Sequence, residues 1–241
     1  MSRYGLIGQS LKHSFSSRYF TEFFQQEELP HSYSNYEIET VDGLIDFIQC
    51  EQISGLNVTI PFKEAVLPIL DEIDHIAKEI GAVNVIKVDN GKLIGYNTDV
   101  IGFWKSLRPA LSNKKIHALL VGTGGASRAI LHALRDNGIQ SLQVSRRSHP
   151  SVINYQQLTP EIVRDHQLII NCTPLGTFPD IEDKVDIPYD GIESEHILYD
   201  VVYNPLETSF LKEGKSRNAK TINGSKMLRI QAEESWKIWN K

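Results

Sequence analysis

The feature that most constrains this fold is a glycine-rich turn in the middle of the chain. An apolar run, residues 116–121, ends in three glycines within residues 122–125, and good helix formers follow over residues 126–137. Gly138 then stands where a helix C-terminal glycine is common. This order predicts a strand, a tight turn and a helix. Glycines at such a turn let a pyrophosphate approach the backbone, and the N–H groups of the new helix would face it.

The end of the next predicted strand, residues 141–147, indicates which dinucleotide is bound. A cofactor with a free ribose 2′-hydroxyl usually meets Asp or Glu about 20 residues beyond the glycines. This chain has Ser145, Arg146 and Arg147 there instead. Two guanidinium groups beside a hydroxyl suit a 2′-phosphate. We therefore predict NADP(H) rather than NAD(H), the alternative being that the arginines form only a solvated strand end.

Size and composition exclude several classes of protein. The chain has 241 residues, 41% of them hydrophobic, and a net charge of −5. It is long enough for two domains, and its charge offers no basic field for nucleic acid or anionic membrane. No apolar run reaches the roughly 20 residues that span a bilayer, and the N-terminus lacks an export signal. We expect a cytoplasmic protein with no nucleic-acid or membrane partner.

The two cysteines indicate neither a disulfide framework nor a metal site. Cys50 and Cys172 are far apart in the sequence, and neither has metal-ligand residues around it. We expect both to be small buried thiols in a reducing compartment, and we expect no metal.

The N-terminal region begins with a predicted strand, residues 3–8, and a polar loop that contains His13, Ser14 and Ser16. A helix should follow, because apolar residues recur at helical spacing at Tyr19, Phe20, Phe23 and Phe24. Capping of this helix would explain one serine. The group of polar side chains is also suited to holding a polar small molecule.

Two charged residues stand at predicted helix starts. The stretch 55–63 begins as a predicted strand, which breaks at Pro61. Lys63 would then lie in a first helical turn. A lysine there faces the positive end of the helix dipole, so its position suggests a function, although an exposed lysine without one is the commoner case. Asp99 begins another helix, and its ordinary explanation would be an N-cap.

Other elements follow from periodicity and turn residues. Asp89-Asn90-Gly91 between two apolar runs predicts a hairpin. We predict a domain boundary near residue 101. The remaining predicted strands are 33–39, 82–88, 92–96, 167–171, 197–203 and 220–222, and the remaining helices are 41–49, 73–80, 100–107 and 225–239.

Taken together, these stretches resemble the shikimate dehydrogenase family over nearly the whole chain. The matching motifs are His13-Ser14-x-Ser16, Asn57-Val58-Thr59-Ile60-Pro61-Phe62-Lys63, Gly81-Ala82-Val83-Asn84, Gly95-x-Asn97-Thr98-Asp99, Gly122-x-Gly124-Gly125-Ala126-Ser127-Arg128, Asn171-x-Thr173-Pro174, Tyr199-Asp200-x-x-Tyr203-Asn204-Pro205 and Met227-Leu228-x-x-Gln231. Each motif alone is modest evidence, but all eight in the family's order are highly specific.

The resemblance implies an α/β fold of two domains with the site in the cleft between them. An N-terminal α/β substrate domain with a mixed sheet, residues 1–100, would be rejoined by the C-terminal helix 225–241. Residues 101–224 would form a Rossmann-type NADP-binding domain. Implied cofactor contacts are Gly122, Gly124, Gly125, Ala126, Ser145, Arg146, Arg147, Thr173, Val201 and Met227.

The resemblance also implies the reaction, a reversible NADPH-dependent reduction of 3-dehydroshikimate to shikimate on the route to chorismate and aromatic amino acids. Ser14 and Ser16 would bind the substrate carboxylate. The other implied substrate contacts are Thr59, Lys63, Asn84, Asp99, Tyr203 and Gln231, with Lys63 and Asp99 as the catalytic pair. This agrees with the chemistry, because a lysine ammonium can protonate the oxygen of a carbonyl while the cofactor supplies hydride.

Two alternatives remain open at this point. A quinate/shikimate dehydrogenase would have to accommodate an additional tertiary hydroxyl near Ser14 and Ser16, and nothing in these serines favours quinate. A catalytically silent NADP-binding sensor on the same fold would not need the Lys63–Asp99 pair. Gln231 has its own ordinary explanation, as a solvated residue on a helix surface. Both a monomer and a homodimer are compatible with the sequence.

Overall fold

A computed structural model describes residues 1–12, 14–112, 115–146 and 151–241. His13 and Arg147, which the sequence places in binding motifs, lie outside these residues. The chain divides into two compact units, Met1–Ile101 with Leu228–Lys241, and Gly102–Met227. Among the helices described, none combines the length and the apolar character needed to cross a membrane.

The first unit is built on a six-stranded mixed sheet. Its strands are β1 (Arg3–Gly8), β2 (Ser32–Glu37), β3 (Ile53–Val58), β4 (Glu72–Ile73), β5 (Val85–Asp89) and β6 (Lys92–Tyr96). Its helices are α1 (Phe15–Gln26), α2 (Leu44–Cys50), α3 (Phe62–Ala65), α4 (His75–Ile80), the start of α5 (Asp99–Leu107) and most of α9 (Ser225–Trp239). The strand order is β2-β1-β3-β5-β6-β4. β1 runs parallel to β2 and β3, whereas β5 runs antiparallel to β3 and β6.

Local sequence explains where several of these elements turn. Asn90 and Gly91 both adopt positive φ, 51° and 81°, as the predicted hairpin between β5 and β6 requires. Gly81 ends α4 with φ 69°, and the Asp74 side chain caps its start by accepting from the Ile76 N–H. These turns confirm the predicted hairpin and the predicted end of α4.

Aromatic packing holds the C-terminal helix α9 in the first unit. The Trp239 ring stacks on Tyr4 with centroids 4.7 Å apart, and its Nε1 donates to the Ile86 carbonyl at 3.0 Å. A Cβ at position 55 would collide with the same indole, so Gly55 is required beneath it. Residues at both ends of the chain therefore share one core.

The second unit is built on a six-stranded parallel sheet. Its strands are β7 (His117–Val121), β8 (Gln140–Ser145), β9 (Val152–Asn154), β10 (Leu168–Asn171), β11 (Ile197–Asp200) and β12 (Lys220–Ile222). Its own helices are α6 (Gly125–Asp136), α7 (Pro160–Arg164) and α8 (Ser209–Ser216). The order β12-β11-β10-β7-β8-β9 is that of a Rossmann sheet, in which ligands bind beyond the carboxyl ends of the strands where the order reverses. Here the reversal lies between β7 and β10.

Some predicted boundaries were wrong. The helix predicted over 41–49 begins only at Leu44, because Gly43 has a left-handed φ of 71°. The helix predicted over 73–80 begins at His75, and Glu72–Ile73 instead pair with β6. β11 ends at Asp200 rather than at residue 203. The short elements β9, α7 and α8 were not predicted.

The prediction that both cysteines are buried was also wrong. Cys50 is exposed at the end of α2, and Cys172 is half-buried directly after β10. Neither forms a disulfide. Cys50 shares the outer face of α2 with the exposed Asp46, and Cys172 is the first residue beyond the fully buried strand β10.

Candidate active site

A lysine and a buried carboxylate form the centre of the candidate site. Lys63 is the second residue of α3, which starts directly after Pro61, and Asp99 is the first residue of α5. The Lys63 Nζ donates to Asp99 Oδ2 at 2.6 Å, with side-chain exposures of 15% and 2%. The Lys63 ammonium group is therefore partly accessible, and it is hydrogen-bonded to a carboxylate that is almost completely buried.

The Asn84 side chain fixes the other side of that carboxylate. Its Nδ2 donates to Asp99 Oδ1 at 3.0 Å, while its Oδ1 accepts from the Thr98 N–H at 2.7 Å. At the start of α5, the Asp99 N–H donates to Asn97 Oδ1 at 3.0 Å, so the Asn97 side chain satisfies this backbone group. Both Asp99 oxygens are thus bonded to residues that sequence motifs had singled out, and an ordinary N-cap would not explain these bonds.

The two serines of the N-terminal motif have different partners. Ser14 Oγ accepts from the Ser17 N–H at 3.2 Å and is the N-cap of α1, which is its ordinary explanation. Ser16 lies inside the first turn, with its side chain beside the Tyr33 phenol. Burial raises the pKa of Tyr33, and the neighbouring Ser16 side chain acts in the opposite direction. Both serines are half-buried, so each keeps part of its surface available.

The remaining predicted substrate residues are divided between the units. Thr59 follows β3 directly and is half-buried, with its N–H donating to the Ile7 carbonyl at 3.0 Å. Gln231 is half-buried on α9 in the first unit rather than fully solvated. Tyr203 is half-buried in the second unit, three residues after β11. Among the described residues, the hydrogen bonds between predicted substrate side chains join Lys63, Asp99 and Asn84.

Sequence reasoning missed a hydrogen-bonded group in the first unit. Tyr33 donates its phenol proton to Asn57 Oδ1 at 2.8 Å, and Asn57 Nδ2 donates to Ser235 Oγ at 2.9 Å. Ser235 Oγ in turn donates to the Gln231 carbonyl at 2.7 Å. Asn57 belongs to a recognised motif, but Tyr33 and Ser235 carry no local signal of this role.

The glycine-rich turn of the second unit has a fixed geometry. Gly122 adopts φ +113°, and a Cβ there would come within 3.1 Å of the Cys172 backbone. Its N–H donates to the Val144 carbonyl at 2.9 Å. Its carbonyl accepts from Ser127 Oγ at 2.9 Å and from Gln143 Nε2 at 2.8 Å. The turn is therefore anchored to the neighbouring strand and to the helix that follows.

The groups around this turn are of the kind that bind a phosphorylated cofactor. Gly124 is the N-cap of α6 without a side-chain bond, and a Cβ at this position would meet nothing within 4 Å. Gly125 and Ala126 open the helix, whose first N–H groups have no intrahelical acceptor. Ser145 ends β8 and is half-buried, and Arg146, the next residue, is exposed. Backbone donors and an exposed guanidinium are the groups that a phosphorylated cofactor needs.

Buried hydrogen bonds tie together the loops that follow β10 and β11. Asn171 Nδ2 donates to Asp200 Oδ1 at 3.0 Å, and Thr208 Oγ1 donates to Asp200 Oδ2 at 2.6 Å. Thr173 Oγ1 donates to Asn171 Oδ1 at 2.7 Å, and the Val201 N–H donates to the Asn171 carbonyl at 3.1 Å. These bonds hold two predicted cofactor residues, Thr173 through its side chain and Val201 through its backbone. Another predicted cofactor residue, Met227, lies near the start of α9 and is 4% exposed.

Burial gives Asp200 an unusual acidity. It raises the pKa of Asp200 to about 6, although hydrogen bonds from Thr208, Val202 and Asn171 act in the opposite direction. Among the described residues, no group of three or more His, Cys, Asp or Glu side chains is arranged to hold a metal ion.

The second unit has a parallel Rossmann sheet with an anchored glycine turn, and the first unit carries a lysine–carboxylate pair. Together these features are those of a nucleotide-dependent dehydrogenase. Residues 6–86 match the family model of the shikimate dehydrogenase substrate binding domain. The "Shikimate dehydrogenase (NADP(+))" of Aquifex aeolicus is 37% identical over 98% of this chain and 90% of its own. The chain belongs to the shikimate dehydrogenase family.

Solved structures agree with this assignment. The crystal structure of shikimate dehydrogenase from Aquifex aeolicus has a TM-score of 0.91 at 35% identity, covering 100% of this chain and 92% of that one. Shikimate 5-dehydrogenase from Thermus thermophilus, in complex with NADP(H) and shikimate, has a TM-score of 0.89 at 30% identity, covering 99% and 93%. The similarity therefore extends over both units.

Proposed function

We propose that this protein catalyses the reversible NADPH-dependent reduction of 3-dehydroshikimate to shikimate. The observation that carries the proposal is the Lys63 ammonium held 2.6 Å from a buried carboxylate, in a chain whose full-length relatives are named shikimate dehydrogenases. A ketone reduction needs a proton for oxygen as well as a hydride for carbon, and this pair meets the first need.

The first unit binds the substrate in this proposal. Ser14 and Ser16 donate to the carboxylate, and the ring hydroxyls contact Thr59, Lys63, Asn84, Asp99 and Gln231. Support comes from their half-buried or buried positions within one unit and from the existing bonds that orient Asn84 and Asp99. A site that pairs several hydroxyls rejects analogues lacking one of them, because its own polar groups would be left unpaired. Tyr203 stays a prediction from the family motif.

Lys63 moves the proton. In the direction of reduction its Nζ donates to the oxygen that is becoming a hydroxyl, and in the direction of oxidation the amine takes that proton back. Asp99 orients the Nζ through the 2.6 Å bond, and Asn84 keeps the Asp99 carboxylate from rotating. The side chain of Lys63 is 15% exposed, which leaves it accessible to a ligand.

The second unit holds NADP(H), which supplies or accepts the hydride when bound. We assign the pyrophosphate to the backbone of Gly122, Gly124, Gly125 and Ala126, and the 2′-phosphate to Ser145, Arg146 and Arg147. Thr173, Val201 and Met227 are the further proposed contacts. The open space beside Gly124 and the exposed position of Arg146 support these assignments.

A spectrophotometric assay tests the proposal. Purified protein is incubated with shikimate and NADP⁺, and formation of reduced nicotinamide is followed beside quinate and NAD⁺ controls. We expect turnover with shikimate and NADP⁺ and far weaker turnover in both controls. NADPH binding without turnover of either acid would support a silent NADP-binding protein, and a preference for quinate would support the other dehydrogenase.

A further inference from the structure

The C-terminal helix α9 carries a buried serine one turn beyond Gln231. Ser235 is 0% exposed, and its Oγ donates to the Gln231 carbonyl at 2.7 Å. Such a back-bond to the residue four positions earlier is common for serine in helices. The same oxygen also accepts from Asn57 Nδ2 at 2.9 Å. Asn57 lies on β3, 178 positions away in the sequence. This second bond fixes one turn of α9 to the sheet.

Asn57 is held at both ends of its amide. Its Oδ1 accepts from the buried Tyr33 phenol at 2.8 Å while its Nδ2 donates to Ser235. The Nδ2 also lies 3.5 Å from the Asn84 carbonyl. Because a flip of the amide would exchange its oxygen and nitrogen and break both bonds, Asn57 is held in one orientation between Tyr33 and Ser235.

The connected bonds lead to one proposed substrate residue and pass beside another. Gln231 on α9 is bonded to Ser235 through its backbone, and Ser16 on α1 lies beside Tyr33. Trp239, which anchors the far end of α9, lies eight residues from Gln231, or about 12 Å along a helix axis. The Asn57–Ser235 bond acts only one turn from Gln231.

We propose that Ser235 is a positioning residue for substrate recognition, which acts through Asn57 and Tyr33 to set where the Gln231 side chain meets the ring of the substrate. The inference rests on the proposed function. The physical reason is that a hydrogen bond to a ligand hydroxyl weakens steeply when its donor shifts or rotates, and α9 has a polar tie to β3 at this turn.

The test compares Ser235→Ala with a matched substitution in the second unit. Ser106 is also buried, donates to a carbonyl of its own helix at 2.8 Å and contacts a tyrosine phenol, that of Tyr199, at 2.7 Å. Ser106→Ala therefore removes the same kind of group without touching the proposed substrate residues. Both variants are expected to lower the thermal unfolding midpoint by a few degrees.

Only Ser235→Ala is expected to change substrate recognition. The KM for shikimate should rise about three- to tenfold, as for loss of one neutral hydrogen bond, while kcat and the KM for NADP⁺ stay within about twofold. Ser106→Ala should leave the KM for shikimate at the wild-type value. If Ser235→Ala keeps the wild-type KM for shikimate, or if both variants raise it equally, the positioning role is refuted.

A second pair of variants covers the case in which Ser235→Ala does not fold. Tyr33→Phe keeps the ring but removes the bond that holds Asn57, and Tyr199→Phe is its control. The same selective rise in the KM for shikimate is expected for Tyr33→Phe, and its absence refutes the inference. A wild-type protein that fails to oxidise shikimate overturns the proposed function and this inference with it, whereas unchanged KM values in an active enzyme overturn the inference alone.

Discussion

Removing the lysine of the Lys63–Asp99 pair should destabilise the first unit measurably. In Lys63→Met the Asp99 carboxylate, 2% exposed, keeps the Asn84 hydrogen bond but loses its cation. Breaking a buried ion pair from one side costs about 3–5 kcal/mol. We take about 3 kcal/mol, because the lysine side chain is 15% exposed and Asn84 still donates. For a chain of this size that corresponds to a fall of about 6–12 °C in Tm.

The double variant Lys63→Met/Asp99→Asn isolates the electrostatic part. Asparagine at position 99 retains an oxygen for Asn84 and no longer carries a charge, so most of the lost stability should return. We expect a coupling free energy of about 2 kcal/mol between the two positions. The four proteins of the cycle are compared by urea unfolding followed by circular dichroism at one pH.

An exposed pair provides the control. Lys92 Nζ donates to Glu72 Oε1 at 2.8 Å, but the two side chains are 61% and 54% exposed. Lys92→Met should leave the unfolding midpoint close to that of the wild type, because exposed ion pairs contribute little. A coupling below about 0.5 kcal/mol at Lys63 and Asp99 would refute the reasoning that this pair is a buried, mutually dependent unit.

Two further predictions concern the second unit. Arg146→Ala is expected to raise the KM for NADP⁺ about ten- to hundredfold, as for loss of one charge-assisted hydrogen bond, and to leave the KM for NAD⁺ unchanged. Steady-state kinetics with both cofactors measures this, and an equal rise in both KM values would contradict it. Burial raises the pKa of Asp200 from 3.8 to about 6, so the native state binds this proton more tightly than the unfolded chain does. The stability that the bound proton contributes is full below about pH 4 and is lost as the pH rises through 6. Relative to Asp200→Asn, the wild type should therefore lose about 2 kcal/mol between pH 4 and pH 7, out of about 3 kcal/mol for the whole shift at 1.36 kcal/mol per pKa unit. Parallel urea-unfolding stabilities of the two proteins at these pH values would count against the buried charge.

Most of the fold was predictable because its signals are local. The strand, glycine turn and helix around β7 and α6, the hairpin at Asn90 and Gly91, and the end of α4 at Gly81 all follow from backbone preferences of a few adjacent residues. The two-residue strand β4 and the three-residue strand β9 were missed because pairing with a neighbouring strand, not their own periodicity, defines them.

The candidate site was predictable only where motifs carried it. Lys63, Asn84 and Asp99 were each singled out, and their mutual contact is a matter of tertiary structure. The bonds of Tyr33 and Ser235 to Asn57 bridge 24 and 178 positions, so no local pattern could have revealed them. The exposure of Cys50 depends likewise on which face of α2 the fold buries.

Lys63→Ala, measured in the direction of shikimate oxidation, tests the central claim that this lysine transfers the proton. A positioned acid or base contributes about 10²–10⁴-fold to rate, so kcat should fall by that factor. The KM for shikimate should change by less than about tenfold, and NADPH binding, followed by its fluorescence, should be unchanged because the proposed cofactor residues belong to the other unit. A folded Lys63→Ala protein with near-normal kcat would contradict the account and remove Lys63 from the chemistry.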